Sequence, residues 1–443
     1  EFVFRLPNGA ADKGAFDKCK YLALVGLGEA KTARQDSYLL GRQLTALSAQ
    51  LKGAKVGLVP QGLSLDVAQL VHGICEAAYD DKRFRKIDAN AELPVSITSV
   101  SVLEKSTQAR ADSITALATA SGVKFARDLV GAPANAKTPV IIADIAKELA
   151  RQHDLECNIL GEKECVARGM GGYLSVQQGS KYPPQFIHMA YKPKSTENVK
   201  KIVLIGKGLT FDSGGYNLKV GAGSSIEMMK IDMGGLGAVL GCAKAIGQLR
   251  PENVEVHFVS AVCENMISAN AIRPGDVVTA SNGKTIEIVN TDAEGRLTLA
   301  DALVYAQSIG DVDAIIDLAT LTGACIVGLG DKVAGLYSSD KALLSGIMDA
   351  AEKTDEKVWP LPLEESYRSR IKSPIANIQN VGGNGGGGSI TAALFLQEFV
   401  EKTTPWAHID IAGPVWDDKQ QKPTGFGVKM LVEYLSALGN VAK

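Results

Sequence analysis

The chain has 443 residues, 46% of them hydrophobic, with 47 basic and 49 acidic side chains and a formal net charge of −2. That length is ample for two or three domains with large buried cores. The near-neutral balance excludes an electrostatic footprint for nucleic acid or an anionic membrane, and no stretch reaches the roughly 18 uninterrupted apolar residues of a membrane helix.

Taken in chain order, Tyr21 to Gly28 reads as a buried strand ending in a glycine turn, and residues 36–51 as an amphipathic helix. Val56 to Pro60 and the alternating run Val95 to Val102 read as further strands. A long helical pattern over residues 107–130, with Ile114, Leu117, Val123, Phe125 and Leu129 at apolar positions, ends before Pro133. Sequence texture changes across that helix. It therefore divides a smaller α/β domain (1–115), a connecting helix and linker (116–135), and a larger domain (136–443).

Thr138-Pro139 is a cap followed by a first-turn proline and starts a helix to about Gln152. Leu155 to Leu160 reads as a strand, and Lys201 to Ile205 as another that runs into the loop Gly206-Lys207-Gly208. Asp276 to Ala280 and Lys284 to Val289 form a hairpin about Ser281-Asn282-Gly283. Asn-Gly is the dipeptide favoured where both central turn residues need positive φ. Val381 to Gly388 holds six glycines in eight residues, either a linker or a loop of close backbone approach. Strand-like and helix-like periodicity alternate throughout, the pattern of an α/β protein.

Several motifs fail. The five histidines are too scattered for a His-x-x-x-His clamp, so any metal chemistry falls to carboxylates. Seven cysteines without a Cys-x-x-Cys pair fit a reducing compartment. Gly26-Leu27-Gly28 lacks the third glycine of a dinucleotide fingerprint, since Lys31 stands there. Gly283-Lys284-Thr285 lacks the first glycine of a phosphate loop, and Thr391 breaks the serine-elbow pattern around Ser389.

Two segments concentrate the chemistry. The first runs from Gly206 to Lys219 and continues at Met229 to Gly235; the second is Asn290 to Leu297. Asp292 and Glu294, two apart, point the same way on an extended or turning backbone. They either share a cation or serve as cap and dipole partner of the helix that follows. Asp212 and Asp232 lie in glycine-flanked loops after apolar strands, the usual ligand position on an α/β sheet. Turn chemistry is the alternative for these aspartates, and a solvated surface pair is the alternative for Lys207 and Lys219.

Lys207 through Lys219, Asp232 in its Met-Lys-x-Asp-Met-Gly-Gly setting and the whole of Asn290 to Leu297 resemble the signatures of the leucyl aminopeptidase (cytosol aminopeptidase) family. The resemblance extends from about Ala126 to Val432, taking in Asp317 to Gly323, Ile390 to Leu396 and His408 to Val415. It is close in texture to the plant, algal and bacterial types, and looser in the N-terminal third. It implies a smaller macro-domain-like α/β domain before a larger catalytic domain, whose central mixed sheet is flanked by helices.

The implied activity is metal-dependent release of N-terminal, leucine-like residues from peptides. Lys207, Asp212, Asp232, Asp292 and Glu294 would hold two divalent ions (zinc and/or manganese, with magnesium as a further candidate), Asp212 and Glu294 bridging them. Two-metal sites hold their ions about 3.5–4 Å apart and acidify the attacking water. Lys219 would polarise the scissile carbonyl, and Arg296 would hold a bicarbonate acting as general base. Thr320, Leu321 and Gly323 would contact the substrate backbone, and Met229 and Ala412 would line the first side-chain pocket. Glycine-rich residues 382–388 depart from the family pattern, with Asn384 where many relatives carry arginine.

A homohexamer of two stacked trimers is implied, acting on peptides in the cytoplasm, or in a plastid or other organelle if a transit peptide has been removed. No membrane or nucleic-acid partner is expected. A binding protein that kept the fold is the competing class, opposed by the intact polar set. A two-metal phosphatase would have no use for the lysine ligand.

Overall fold

The computed structural model describes residues 2–5, 21–24, 33–50, 55–58, 65–86, 99–102, 107–195, 197–221, 224–383 and 385–439. The chain divides into two compact units, Glu1–Ala120 and Ser121–Lys443, and the division falls within one helix.

In the smaller unit β1 (Phe2–Arg5) pairs antiparallel with β2 (Tyr21–Leu24), and β3 (Lys55–Leu58) pairs parallel with β4 (Ser99–Val102). Helices α1 (Ala33–Gln50) and α2 (Val67–Ala77) pack on each other through Leu40, Leu44 and Leu70. Asp66 caps α2 by accepting from the Gln69 N–H at 3.0 Å. The expected strand portions 25–28 and 95–98 lie outside the described residues. In α3 (Thr107–Gly131) Leu129 is buried, whereas Ile114 and Leu117 are more than half exposed.

In the larger unit α4 (Pro139–His153) begins at Thr138, with the proline in its first turn. Then come β5 (Glu156–Leu160), α5 (Glu162–Ala167), α6 (Gly171–Gln177), β6 (Gln185–Tyr191), β7 (Lys200–Gly206) and β8 (Gly208–Asp212). After a 3-10 turn (Ile226–Ile231) follow α7 (Gly234–Leu249), β9 (Val254–Asn265), β10 (Val277–Thr279), β11 (Thr285–Glu287), α8 (Gly295–Gln307) and β12 (Ala314–Ala319). The unit closes with α9 (Gly323–Leu329), β13 (Ala334–Ser338), α10 (Lys341–Thr354), β14 (Val358–Pro360), β15 (Ile378–Gln379), α11 (Gly388–Gln397), β16 (Trp406–Asp410), β17 (Trp416–Asp417), β18 (Lys422–Pro423) and α12 (Val428–Leu438).

Nine of these strands form the central sheet, in the order β14-β13-β16-β12-β7-β9-β6-β5, with β8 also on β9. The sheet is mixed. β16, β12, β7 and β9 run parallel, whereas β13 meets β16, and β6 meets β9 and β5, antiparallel. The parallel strands read as nearly unbroken apolar runs because both of their faces are covered. One face buries residues of α4, α7, α10 and α12, and the other residues of α6, α8 and α11. The ends of β7, β12 and β16 lie side by side in the middle of the sheet. That is where ligands gather on an open α/β sheet.

The hairpin forms in the expected place, but its turn differs from the one its dipeptide suggests. Asn282 does not have positive φ; Gly283 alone is left-handed, at φ 84°. Gly283 N–H donates to the Ala280 carbonyl and Ala280 N–H to the Lys284 carbonyl, at 2.8 and 2.9 Å. The loop therefore has three residues, closed by a left-handed glycine. The glycine-rich stretch is a loop of close approach rather than a linker: Arg370 Nη1 donates to the carbonyls of Gly385 and Gly386 at 3.0 and 2.9 Å. Asn384 lies outside the described residues.

Candidate metal centre

β7 and β8 run along β9 as one path broken at Lys207. At that break the Lys207 N–H turns sideways to the Leu318 carbonyl, 3.0 Å away on β12. Its side chain reaches into the space beyond the strand ends. Lys207 Nζ donates to Asp232 Oδ1 (2.8 Å) and to the Thr320 carbonyl (2.9 Å), and lies 3.0 Å from Glu294 Oε1. Gly295 makes room for it, since a Cβ there would sit 2.3 Å from Lys207 Cε.

Asp212 ends β8. Its Oδ1 accepts from the Gly214 N–H and the Asn265 amide, both at 2.8 Å, and its Oδ2 lies 3.0 Å from Lys219 Nζ. Lys219 Nζ is also 2.6 Å from Asp292 Oδ1. Asp232 closes the turn Ile226–Ile231, and the Thr320 hydroxyl donates to its Oδ1 at 2.7 Å. Asp292 and Glu294 arrive on the turn into α8, where Asp292 N–H donates to Asn290 Oδ1 at 2.8 Å. Lys207, Asp212, Lys219, Asp232, Asp292 and Glu294, all singled out in the sequence, are thus brought together from the two segments it marked.

The electrostatics of this network are unbalanced, because four carboxylates face two ammonium groups in a largely buried place. Burial pushes Glu294 well above the usual carboxylate range, and the Asp212 charge adds to the rise. Burial also takes Asp232 up to about 6 against the pull of Lys207, with Asp212 adding to it, and raises Asp292. Burial alone would lower Lys207, but Asp232, Glu294 and Asp212 outweigh it and hold the ammonium above its ordinary range. Lys219 is likewise raised, by Asp212, Glu294 and Asp292 against its burial.

Oxygens of Asp212, Asp232 and Glu294, all three buried, lie within 4.8 Å of one another. Asp232 Oδ2 and Glu294 Oε2 have no hydrogen-bond donor, and the contact of Glu294 Oε1 with Lys207 falls outside hydrogen-bond geometry. Buried polar atoms are seldom left so. Converging orphaned carboxylate oxygens, in a site with excess negative charge, fit divalent cations. An amine nitrogen at Lys207 fits as well, once its proton has been released on metal binding.

Arg296, in the first turn of α8, is buried. Its Nη1 donates to the Asn380 carbonyl at 2.7 Å, and its Nε has no partner. Burial brings it down to about 10 against the pull of Glu294 and Asp410, so it remains a cation at neutral pH. Among the described residues it forms no ion pair with the acidic network.

Thr320 joins the network through both its carbonyl and its hydroxyl. Leu321 and Ala412 are held by one buried carboxylate: their N–H groups donate to Asp410 Oδ1 at 3.1 and 3.2 Å, and Thr322 Oγ1 donates to its Oδ2 at 2.6 Å. Asp410 thereby ties the loop after β12 to the loop after β16. Gly323 opens α9 in an exposed position, and Met229 sits half-buried in the turn before Asp232.

Apart from Thr291, which lies in the Asn290 to Leu297 segment, the supporting residues were not singled out from sequence. Asn265, at the end of β9, donates to both Asp212 Oδ1 and the Thr291 carbonyl, at 2.8 and 3.0 Å. Thr291 Oγ1 donates to the Gly214 carbonyl at 2.6 Å. Asn380, wholly buried, accepts from the N–H groups of Val289 and Asn290 (2.8 and 3.2 Å) and donates to the Asn290 carbonyl (2.6 Å). A polar residue closing a long apolar run (Asn265) or opening a glycine-rich stretch (Asn380) is the only signal that sequence offers for them.

Residues 124–432 match the model of the cytosol aminopeptidase family, catalytic domain. The chain is 51% identical to a "Probable cytosol aminopeptidase" of a Synechocystis species, over 96% of this chain and 86% of that protein. It is 47% identical to "Leucine aminopeptidase 1" of Arabidopsis thaliana, over 94% and 81%. Its fold is similar to that of a lysine-to-glutamate mutant of tomato leucine aminopeptidase, with a TM-score of 0.85 and 43% identity, covering 93% of this chain and 80% of that one.

Proposed function

The chain belongs to the cytosol aminopeptidase family and is a metallo-aminopeptidase acting on peptides, and from that premise we propose how its own residues carry the reaction. Lys207, Asp212, Asp232, Asp292 and Glu294 would hold two divalent ions, zinc and/or manganese. When bound, such a pair supplies Lewis acidity and an acidified water at neutral pH. The observation that carries this reading is the convergence of three buried carboxylates, two of which, Asp232 and Glu294, have orphaned oxygens.

Lys219 is fixed by Asp212 and Asp292 with its ammonium partly open to the site. It is thus a preorganised donor for the oxygen on which charge develops as the peptide bond breaks. Arg296 is a buried cation with a free Nε–H, suited to holding a small planar anion such as bicarbonate, the proposed general base. Thr320, Leu321 and Gly323 present backbone groups to the peptide, while Met229 and Ala412 border the pocket for its first, leucine-like side chain. Lys207 and Asp410 support that arrangement by holding the Thr320 carbonyl and the neighbouring loops.

Residues 136–443 are taken as the catalytic domain, 116–135 as the connector and 1–115 as the smaller domain. We assign a homohexamer working in the cytoplasm, with an organelle stroma as the alternative. Among the described residues no helix is long and apolar enough to cross a membrane.

Hydrolysis of leucine-p-nitroanilide tests the reading. Turnover is expected to rise with added Mn²⁺, to vanish with chelator and to vanish in Asp212→Asn. Unchanged turnover in that variant, or turnover indifferent to chelator, overturns it.

A further inference from the structure

Lys137 is 1% exposed, among the most deeply buried large side chains of the described residues. An ammonium so buried needs its three N–H groups satisfied. Its Nζ donates to the carbonyls of Leu129 (2.9 Å), Val130 (2.9 Å) and Lys230 (2.7 Å). The first two lie in the last turn of α3, where carbonyls lack intrahelical donors and the helix dipole favours a cation. The third lies in the turn Ile226–Ile231, which carries Met229 and delivers Asp232.

That turn is weakly closed by its own bonds. Ser225 before it has φ 47°, no side chain caps it, and its last bond, Asp232 N–H to the Met229 carbonyl, is long at 3.4 Å. The Lys230 side chain is anchored elsewhere, its ammonium 5.2 Å from the centroid of the Trp416 ring. Lys137 thus supplies a strong donor to the turn two residues before Asp232, from a segment braced on the end of α3.

We infer that Lys137 is a positioning residue for the metal centre: it clamps the Ile226–Ile231 turn so that Asp232 keeps its place among the ligands and Met229 its place at the pocket. The inference rests on Asp232 being a metal ligand, as read above. Partners behind metal ligands typically contribute about 10–100-fold in metal affinity.

The test is calorimetric titration of Mn²⁺ into the chelator-stripped full chain, for the parent, Lys137→Met, Lys137→Arg and Asp232→Asn, with kcat and KM measured at saturating Mn²⁺. Lys137→Met is expected to weaken one of the two Mn²⁺ sites by about tenfold or more. Its kcat should recover at saturating metal while KM stays raised, and Lys137→Arg should regain most of the lost affinity. Parental Mn²⁺ binding in Lys137→Met, alongside loss of a site in Asp232→Asn, overturns the clamp and leaves the metal reading standing. Both sites kept in Asp232→Asn overturns the metal reading itself. Should Lys137→Met not fold, Lys137→Gln, which keeps an amide donor, carries the same readout.

Discussion

Two buried carboxylates stand about two turns apart along α8, and the protein treats them in opposite ways. Asp301 is wholly buried, and both its oxygens are engaged. Oδ2 accepts from the Tyr173 N–H at 2.8 Å, and Oδ1 from the N–H and hydroxyl of Ser281 at 2.8 and 2.9 Å. Glu294 is nearly as buried, yet it has one oxygen beside Lys207 and the other without a donor. Burial raises both, Asp301 to about 6 and Glu294 well above its usual range. What separates them is where compensation comes from. Asp301 is satisfied by backbone it ties together, α6 and the hairpin turn to α8, whereas Glu294 is left with a demand that a bound cation would meet.

The largest expected effect exploits that difference. Glu294→Gln should lower metal-dependent kcat by at least about 10³-fold, because it would remove a ligand of the proposed two-ion site. The stripped protein should not lose stability, since a near-isosteric amide replaces a carboxyl whose burial already disfavours its charge. Asp301→Ala should do the reverse, costing about 1–3 kcal/mol for each buried donor it orphans and leaving kcat unchanged. Mn²⁺ at about a hundred times its Kd should stabilise the parent and Asp301→Ala by about 2.7 kcal/mol for each ion bound, and Glu294→Gln by distinctly less. Thermal melts with and without metal decide it. A stability loss in Glu294→Gln together with a dead Asp301→Ala would break the comparison.

A smaller effect comes from the residue between them. Gly295→Ala would put a methyl group 2.3 Å from Lys207 Cε, in a buried place with little room to yield. Lys207 should be pushed off Asp232 and the Thr320 carbonyl, with turnover falling by roughly tenfold or more and the helix itself unharmed, alanine being the better helix former. Full activity in Gly295→Ala would show that Lys207 can shift freely and that its present contacts do not set the rate.

Much of the frame was legible in the sequence because local pattern and tertiary role coincide. Lys201 to Ile205 reads as a strand because a parallel strand covered on both faces needs an unbroken apolar run. Thr138-Pro139 reads as a helix start because cap and proline act within one turn. The hairpin shows where such reading stops: Asn282-Gly283 marks the turn, but strand register decides whether two or three residues form it. At the metal centre the acidic residues were legible because they cluster in two short segments. Their supports were not. Asn380 acts on Asn290, Asp410 on Leu321 and Lys137 on Lys230, and each pair meets only after the sheet has assembled. Nothing near Lys137 in the sequence marks it as anything but a surface lysine.

The smallest effect concerns pH, and it separates Asp301 from an ordinary ion-paired carboxylate. Its carboxyl titrates at about 6 in the fold against an ordinary 3.8, so between those values the folded chain binds more protons than the unfolded one. Stability from this group therefore falls as pH rises across that window and is flat above it, the opposite of a carboxylate held low by a salt bridge. Asp301→Asn has no such titration. It still offers one carbonyl oxygen to Ser281 but turns an NH₂ toward the Tyr173 N–H, so it should be less stable throughout. In chelator-stripped protein the parent should melt above the variant by a margin that narrows by a few degrees from about pH 4 to about pH 6 and then stays constant. The other buried carboxylates titrate in both proteins and cancel in the difference. A margin that widens with pH would mean that the bonds from Tyr173 and Ser281 overcompensate the burial of Asp301, and that its contrast with Glu294 lies in charge state as well as in partners.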